Sequence, residues 1–235
     1  MNRLPVIVRQ YLASFRILVV FTILCGVIYP GVVLGISQVA FHQQANGSLV
    51  TYKGQVVGSS LLCQEFVNPK TGAPLAQWFQ PRPSNATSEP NTATGSTSVQ
   101  NTGQLGSDGD WGCNGIESAA SNLGPTNPEE VGAIAARQKQ IEAFDHVSQS
   151  QIPPDAVTAS GSGLDPDISP QNADIQVARV AAARHLPVSV VQGLVNKFTQ
   201  GRTIGVLGEP RVDVLTLNIA LAELPGQSAY NGSGS

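Results

Sequence analysis

The sequence predicts an α+β protein, with one N-terminal transmembrane helix followed by a small extracytoplasmic α+β domain. Three observations predict it. Residues 17–36 form a run of 20 residues without a charge, arginines precede that run, and the remaining chain combines short apolar segments with several marked helix starts. A length of 235 residues leaves enough chain beyond the span to bury a core.

The charge-free run predicts a membrane-spanning helix over residues 17–39. A helix rises ~1.5 Å per residue, so about 20 residues match a hydrocarbon core roughly 30 Å thick. Pro30, with glycines around it, predicts a kink in the outer half of this helix. A cleaved signal peptide has a shorter apolar region of roughly 7–15 residues, and a buried helix of a soluble protein has a polar face, so we favour an uncleaved span over both.

Basic residues predict the orientation of the span. Acidic residues are absent before it, the next basic residue after it is Lys53, and three basic residues precede it: Arg3, Arg9 and Arg16. The positive-inside rule therefore predicts a cytoplasmic N-terminus at residues 1–16 and an extracytoplasmic domain at residues 40–227.

Small residues within the span predict a helix-packing face. Gly26, Gly31 and Gly35 would let a partner helix approach closely. One helix encloses no pore, so a single span with such a face indicates an assembly element rather than a channel.

The first half of the outer domain predicts a hairpin and an extended segment. Lys53-Gly54 between two apolar runs indicates a tight turn of an antiparallel hairpin. Trp78-Phe79 indicates an aromatic anchor entering an extended, proline-rich segment. Asn, Thr, Ser and Gly dominate residues 84–115, which predicts a polar, mobile insert, and residues 228–235 are predicted to be a disordered tail.

The second half predicts helices with local start signals. The best marked begins with Asn127 as the N-cap and Pro128 at the first helical position, and it runs to Asp145. Three more are predicted from Ser169-Pro170 to about His185, over residues 188–199, and from an Asp213 cap to Leu224. The inner stripe of the second consists of Ala173, Val177, Val180 and Ala181. Short strands are predicted at Val157-Thr158 and at residues 205–207.

Charge and cysteine usage restrict the functions open to the chain. Of 13 basic residues three lie in the first 36 residues, which leaves 10 basic against 16 acidic residues beyond, a net charge of −6. Such a surface argues against nucleic-acid binding. Cys63 and Cys113 would both lie in an oxidising compartment, so a disulfide between them is open, depending on how closely they approach. Cys25 lies within the span as a small hydrophobic residue, and the cysteine spacing fits no zinc pattern.

Catalytic motifs are absent from the sequence. It contains no GxxxxGK[ST] phosphate loop, no HExxH, no GxSxG and no paired-carboxylate frame. His185 near a helix end favours a structural role. The sequence therefore predicts no catalytic residue and no metal ligand.

One segment, residues 157–170, has the composition of a binding loop. Gly161 and Gly163 permit backbone conformations that turn N–H groups into a shared concavity. Side-chain oxygens are added by the ligand or interface candidates Ser160, Ser162, Asp165 and Asp167, which would suit an anion nest or a cation site. The competing interpretation, which we favour on residues alone, is a shaped loop that delivers the chain to the Ser169-Pro170 helix start.

Several motifs together resemble one known family over nearly the whole chain. Besides the span and the 157–170 loop, they are residues 45–49, Gly58-Ser59 with Gln64 and Phe66, Trp78-Phe79-x-x-Arg82-Pro83-Ser84, residues 121–128, Gln176-Val177-x-Arg179-Val180-Ala181-x-Ala183-Arg184 and Gly208-Glu209-Pro210-Arg211-Val212-x-Val214-Leu215-x-Leu217-Asn218. In this order they resemble the C subunit of the Kdp-type potassium-transporting ATPase.

This resemblance implies an ATP-driven, high-affinity potassium importer of the plasma (inner) membrane. In that family a channel-like subunit selects potassium and a P-type ATPase subunit hydrolyses ATP, so these two chains and the lipid bilayer are the expected partners. The present sequence lacks the DKTG phosphorylation motif, which implies a non-catalytic accessory or assembly subunit. Potassium and ATP are then handled by the complex.

Two alternatives accompany this interpretation. Nucleotide binding has been proposed for the family, but an extracytoplasmic domain without a recognisable ATP motif argues against it here. A membrane-anchored extracytoplasmic enzyme or ligand-binding module using the Ser160–Asp167 loop is the rival from another functional class.

Overall fold

The computed structural model describes residues 5–68, 71–85, 113 and 118–224. The predicted insert at 84–115, apart from its first residues and Cys113, and the predicted tail at 228–235 lie outside the described residues. The chain divides into two compact units, residues 1–49 and 50–235, which are described separately. The described part confirms the predicted class: one long apolar helix and a small α+β domain.

The N-terminal unit is dominated by one long helical segment. Helix α1 (Val6–Ile23), a π-helical segment (Leu24–Ile28) and helix α2 (Tyr29–Ala40) follow one another without a break. Together they form the one helix among the described residues that is long and apolar enough to cross a membrane, and its most apolar 18 residues have a mean hydropathy of 2.6. The helix begins at Val6, well before the charge-free run that starts at residue 17. A helix can extend beyond the part that is apolar enough to lie in lipid.

The π-helical segment lies directly before Pro30, where the sequence predicts a kink. Proline has no N–H, and its ring collides with the carbonyl four residues earlier, so a regular α-helix is strained at that point. A π turn is one way in which a helix accommodates such a residue. The perturbation is thus centred on residues 24–28, at the middle of the predicted span. Helix α3 (His42–Ala45) adds a single turn after it.

Two small antiparallel sheets lie in the domain. Strands β1 (Leu49–Tyr52) and β2 (Gln55–Ser59) form the predicted hairpin, and the turn residues Lys53 (φ 50°) and Gly54 (φ 80°) both adopt left-handed conformations. Two left-handed residues make a type I′ turn, which matches the twist of the strands.

The second sheet has the order β3-β5-β4, and its strands are very short. They are β3 (Asp167–Ile168), β4 (Thr199–Gln200) and β5 (Arg211–Asp213), with Ile168 and Thr199 both opposite Val212. The strand predictions at 157–158 and 205–207 are wrong. Val157 ends the short helix α5 (Pro154–Val157), and residues 203–207 form only an isolated bridge in an exposed turn.

The four predicted helices are confirmed together with their caps. They are α4 (Pro128–Asp145), α6 (Pro170–Arg184), α7 (Val188–Phe198) and α8 (Val214–Ala222). The side chains of Asn127, Ser169 and Asp213 accept hydrogen bonds from backbone N–H groups at the helix starts, at 2.8, 3.0 and 2.6 Å. His146 and His185 end α4 and α6 in left-handed conformations, which agrees with a structural role for His185.

The main core lies between helices α6, α7 and α8 and the β3-β5-β4 sheet. It includes the predicted inner stripe of α6 and the aromatic pair Trp78-Phe79. Burial of an aromatic or large aliphatic side chain stabilises a fold by roughly 1.5–3 kcal/mol. The motif residues of the sequence therefore meet in one place, around the segment that contains Trp78 and Phe79.

Candidate functional site

The centre of the domain is an extended segment, residues 75–84, which we call the strap. Within the described part of the chain it pairs with neither sheet, so its backbone must be satisfied in another way. Asn218 of α8 does this for Phe79: its side-chain oxygen accepts from the Phe79 N–H, and its amide nitrogen donates to the Phe79 carbonyl, both at 2.9 Å. Gln176 of α6 repeats the arrangement on Gln80, at 2.7 and 3.2 Å. Two buried amide side chains thus replace neighbouring strands.

A buried ion pair holds the start of the strap. Arg179 Nε lies 2.6 Å from Asp145 Oδ1, and the two side chains are only 4% and 2% exposed. The guanidinium also donates to the carbonyls of Ala76 and Trp78, at 2.7 and 2.8 Å, and to Gln176 Oε1 at 2.7 Å. Burial raises the pKa of Asp145 and lowers that of Arg179, and each charge opposes the shift of the other. The pair joins α4, α6 and the strap.

A second arginine of α6 anchors the same segment. Arg184 Nε donates to the Gln77 carbonyl at 2.7 Å, and its guanidinium lies 4.1 Å from the centroid of the Trp78 ring. Its Nη1 donates to the Leu221 carbonyl near the end of α8, at 3.1 Å. Burial lowers the pKa of Arg184 to about 10, so it remains charged at neutral pH. Arginine suits this position because its fork satisfies several carbonyls while its face stacks on an aromatic ring.

The loop with the candidate ligand residues is fixed by bonds within the domain. Ser160 Oγ accepts from the Gly163 N–H at 2.8 Å, and Ser162 Oγ accepts from the Leu164 N–H at 3.1 Å. Asp165 pairs with Arg82 of the strap at 2.9 Å, and Asp167 pairs with Arg211 of β5 at 3.1 Å. These contacts favour the shaped-loop interpretation over a ligand site, because each of the four candidate side chains already makes a contact within the domain.

Gly163 explains why this loop needs glycine. Its φ is +71°, and a Cβ there would collide with the Ala119 carbonyl oxygen. Its own carbonyl accepts from Ser84 Oγ at 2.8 Å, and the neighbouring Leu164 carbonyl accepts from the Cys63 N–H at 3.1 Å. The Gly163 end of the loop is therefore packed against the end of the strap, whereas Gly161 and Ser162 are exposed.

The two domain cysteines, whose state the sequence leaves open, are bonded in the structure. Cys63 and Cys113 form a disulfide with their Cα atoms 5.8 Å apart, and both are buried. The bond closes a loop of 50 residues and brings Cys113 beside the 160–167 loop through Cys63. Cys25 of the long helix is free.

The electrostatics of the loop centre on two facing aspartates. Asp167 lies opposite Asp213 in the β3-β5 register. Burial raises the pKa of Asp167 to about 6, Asp213 and Asp165 add to the shift, and Arg211 opposes it. Burial also raises the pKa of Asp213, which is countered by its bonds to Thr216 at the start of α8.

The predicted helix-packing residues belong to the N-terminal unit. A Cβ placed on Gly26, Gly31 or Gly35 of the long helix would meet no atom within 4 Å, so these positions have room for a partner helix. Among the described residues there is no group of three or more His, Cys, Asp or Glu that could hold a metal ion.

Sequence reasoning missed the roles of the buried polar residues. The sequence shows these residues as members of helices or motifs but does not show what they bind. They are Gln80, Asp145, Gln176, Arg179, Arg184 and Asn218. The available signal was a polar residue placed in line with an apolar helical stripe, as Gln176 and Asn218 are. Such a residue must find a buried partner.

Comparison with known proteins identifies the family of the chain. The family model described as "K+-transporting ATPase, c chain" matches residues 11–223, a range that includes most of the long helix and the residues around the strap. A protein of Streptomyces avermitilis described as "Potassium-transporting ATPase KdpC subunit" is 44% identical over 230 residues, covering 94% of this chain and 96% of that protein.

Relatives from distant bacteria carry the same description. The protein of Herpetosiphon aurantiacus is 45% identical over 207 residues (88% of this chain, 92% of that protein), and that of Geobacter sulfurreducens is 42% identical over 217 residues (92% and 98%). These matches confirm the resemblance drawn from the motifs. The chain therefore belongs to the KdpC family, the c chains of the K+-transporting ATPase.

Proposed function

We propose that this chain is a non-catalytic accessory subunit that stabilises the pump and covers the external side of its channel-like subunit. The observation that carries the proposal is the use of its polar motif residues. Arg82, Gln176, Arg179, Arg184 and Asn218 are all engaged in holding the strap and loop. These residues stabilise the fold of the domain. Such a domain suits a protein that acts by contacting its partners.

The long helix supplies the second support. None of its 35 residues is buried in the isolated chain, and its glycines offer room for close helix packing. A polytopic partner in the membrane would cover this surface. In this proposal the helix packs beside the channel-like subunit, with the P-type ATPase subunit as the further partner.

The proposed topology places residues 1–16 in the cytoplasm and the domain outside. Arginines before the span support it. The disulfide supports it as well, because such bonds persist in oxidising compartments. An impermeant thiol reagent applied to intact cells should label Ser150→Cys, an exposed position of the domain, and should not label Asn2→Cys before lysis. The reverse pattern would overturn the topology.

Deletion of the domain tests the accessory role. A chain ending at Leu49 keeps the helix and removes the domain, so the pump should still assemble in part but should lose potassium affinity and stability in detergent. A matched control keeps the domain and alters its net charge at an exposed site, Lys139→Ala. If the truncated complex keeps the full affinity and stability, the covering role is wrong.

The helix face needs a separate test. Gly31→Leu and Gly35→Leu would fill the space that a neighbouring helix uses, and should reduce recovery of the partners with the tagged chain. Val33→Leu, which lies between them in sequence but on another side of the helix, enlarges a side chain without filling a glycine position. Equal recovery with all three variants would show that the glycines are not the packing face.

A further inference from the structure

The turn between β4 and β5 exposes several large apolar side chains close together in sequence. We define the tip as residues 202–209. Its three large apolar side chains, Ile204, Val206 and Leu207, are 86%, 74% and 59% exposed. They follow one another within four residues, so they form a single apolar projection.

The tip is nevertheless a well-defined structure. The backbones of Thr203 and Leu207 exchange two hydrogen bonds, at 2.8 and 3.0 Å. Arg202 Nη2 binds both carboxylate oxygens of Glu209 at 3.0 and 2.8 Å, which closes the base of the turn. The following strand β5 is the centre of its sheet, with Val212 buried. The backbone that carries the apolar side chains is therefore held in one conformation.

Ile204 carries a backbone strain that the fold of this chain does not explain. Its φ is +56°, in the left-handed region that a β-branched residue rarely adopts. Glycine or asparagine would fit that conformation with less strain. Isoleucine here is unfavourable for the backbone and unfavourable for solvation. Burial of its side chain by another molecule would end the solvation cost and offset the backbone strain.

We propose that the tip inserts into an apolar socket on the extracytoplasmic surface of another chain of the pump. This inference rests on the proposed function, since it names the surface through which the domain would contact its partner. Three side chains of this exposure offer on the order of 400 Å², about half of what one side of a stable interface needs. That area is too small to hold a second copy by itself, but it suits a subunit that is also held by its membrane helix.

Charge separates a protein socket from a lipid surface. The only cation of the tip, Arg202, is neutralised by Glu209, whose side chain is 78% exposed. Membrane-surface segments combine apolar residues with free Lys or Arg for anionic headgroups, and an acidic residue opposes that attraction. A neutral apolar tip is complementary to an uncharged apolar pocket in protein.

Photo-cross-linking in the assembled pump tests the contact directly. Ile204→p-benzoylphenylalanine in the full-length chain should cross-link to another chain of the pump, with the linked peptide in an extracytoplasmic segment by mass spectrometry. Val131→p-benzoylphenylalanine, on an exposed site of α4, is the matched control and should give little of this product. Cross-links only to lipid, only to a second copy, or none while the complex stays intact would overturn the proposal.

Substitution at the tip tests its contribution. Ile204→Asn with Val206→Ser keeps the turn and removes the apolar surface, and retention of the pump chains after a detergent wash should fall on the order of tenfold, as for an interface hot spot. Val131→Ser with Val188→Ser removes two other apolar groups that are more than half exposed, and should have little effect. Unchanged retention would overturn the proposal.

Two further measurements keep the result interpretable. The thermal midpoint of the full-length double variant in detergent should equal or exceed that of the wild type; if it falls sharply, the cross-link from position 204 decides. If the wild-type chain retains no pump chain at all, the proposed function itself fails. If it retains them and position 204 reaches none, only the tip proposal fails.

Discussion

The strap and the tip are two irregular segments of one domain with opposite surroundings. The strap is largely buried and its backbone is bound by side chains from α6 and α8, whereas the tip binds mainly to itself and exposes its apolar side chains. Both contain residues of the motifs by which the chain resembles its family. The difference separates a segment whose polar groups are satisfied within the domain from one whose large apolar side chains have no cover within it.

The buried ion pair gives the largest expected effect. Asp145→Ala leaves the Arg179 guanidinium buried without its carboxylate, which should reduce the free energy of unfolding by about 3–5 kcal/mol. Thermal or denaturant unfolding of the full-length chain in mild detergent, followed by tryptophan fluorescence, measures it. Lys139→Ala on the exposed side of α4 is the control. A loss below that of an ordinary surface substitution would mean that the pair does not hold the strap.

Asn218 should produce the next largest effect. Asn218→Ala leaves the Phe79 N–H and carbonyl without their partner, and it should cost about 2–3 kcal/mol of unfolding free energy. Asn196→Ala, on an exposed part of α7, should cost much less in the same assay. Equal effects at both positions would contradict the role of Asn218 as a substitute strand.

Asp167, which fixes the loop to β5, should make stability depend on pH. Its folded-state pKa of about 6 exceeds the ordinary 3.8, so between these values the folded domain binds more protons than the unfolded chain. Stability should therefore increase as the pH falls from above 6 towards 4, by at most about 3 kcal/mol from this residue. Solvent screening of the half-buried carboxylate reduces this to about 1 kcal/mol. Asp145 and Asp213 shift in the same direction.

Asp167→Asn isolates the contribution of this residue. The variant keeps the shape of the side chain and removes its charge, so the dependence of the thermal midpoint on pH should become shallower than in the wild type. Thr158→Asn, a nearby uncharged position, leaves the titration in place. An unchanged pH profile in Asp167→Asn would show that Asp167 titrates normally.

At the tip the expected change in stability is small and of opposite sign. A left-handed residue with a Cβ costs roughly 1–2 kcal/mol, and glycine loses about 0.5–1 kcal/mol in chain entropy. Ile204→Gly should therefore raise the free energy of unfolding by about 0.5 kcal/mol, whereas any substitution in the strap lowers it. A clear loss of stability would show that Ile204, like the residues of the strap, is needed for the fold.

The elements that could be predicted from the sequence are those held by local interactions, and the elements that could not be predicted are held by long-range ones. Helix starts at Asn127, Ser169 and Asp213 were predictable because an N-cap bonds within its own first turn. The hairpin turn at Lys53-Gly54 was predictable for the same reason. Strands β3 and β5 were not, because two or three residues show no alternation and their pairing joins distant parts of the chain.

The candidate loop shows where residue types mislead. Serines, aspartates and glycines at 160–167 have the composition of a binding site, and only the positions of Arg82 and Arg211 show that the two aspartates are paired within the domain. Conversely, Gln176 and Asn218 carried no visible function, since an amide that replaces a strand is recognised only from the backbone it faces.

Affinity purification of the full-length chain in mild detergent, from cells that make the whole pump, tests the central claim most directly. The account predicts that the channel-like and P-type ATPase subunits remain bound in fixed proportion, and that the purified chain alone hydrolyses no ATP and binds neither nucleotide nor potassium tightly. Recovery of the chain by itself, with turnover or tight ligand binding of its own, would contradict it.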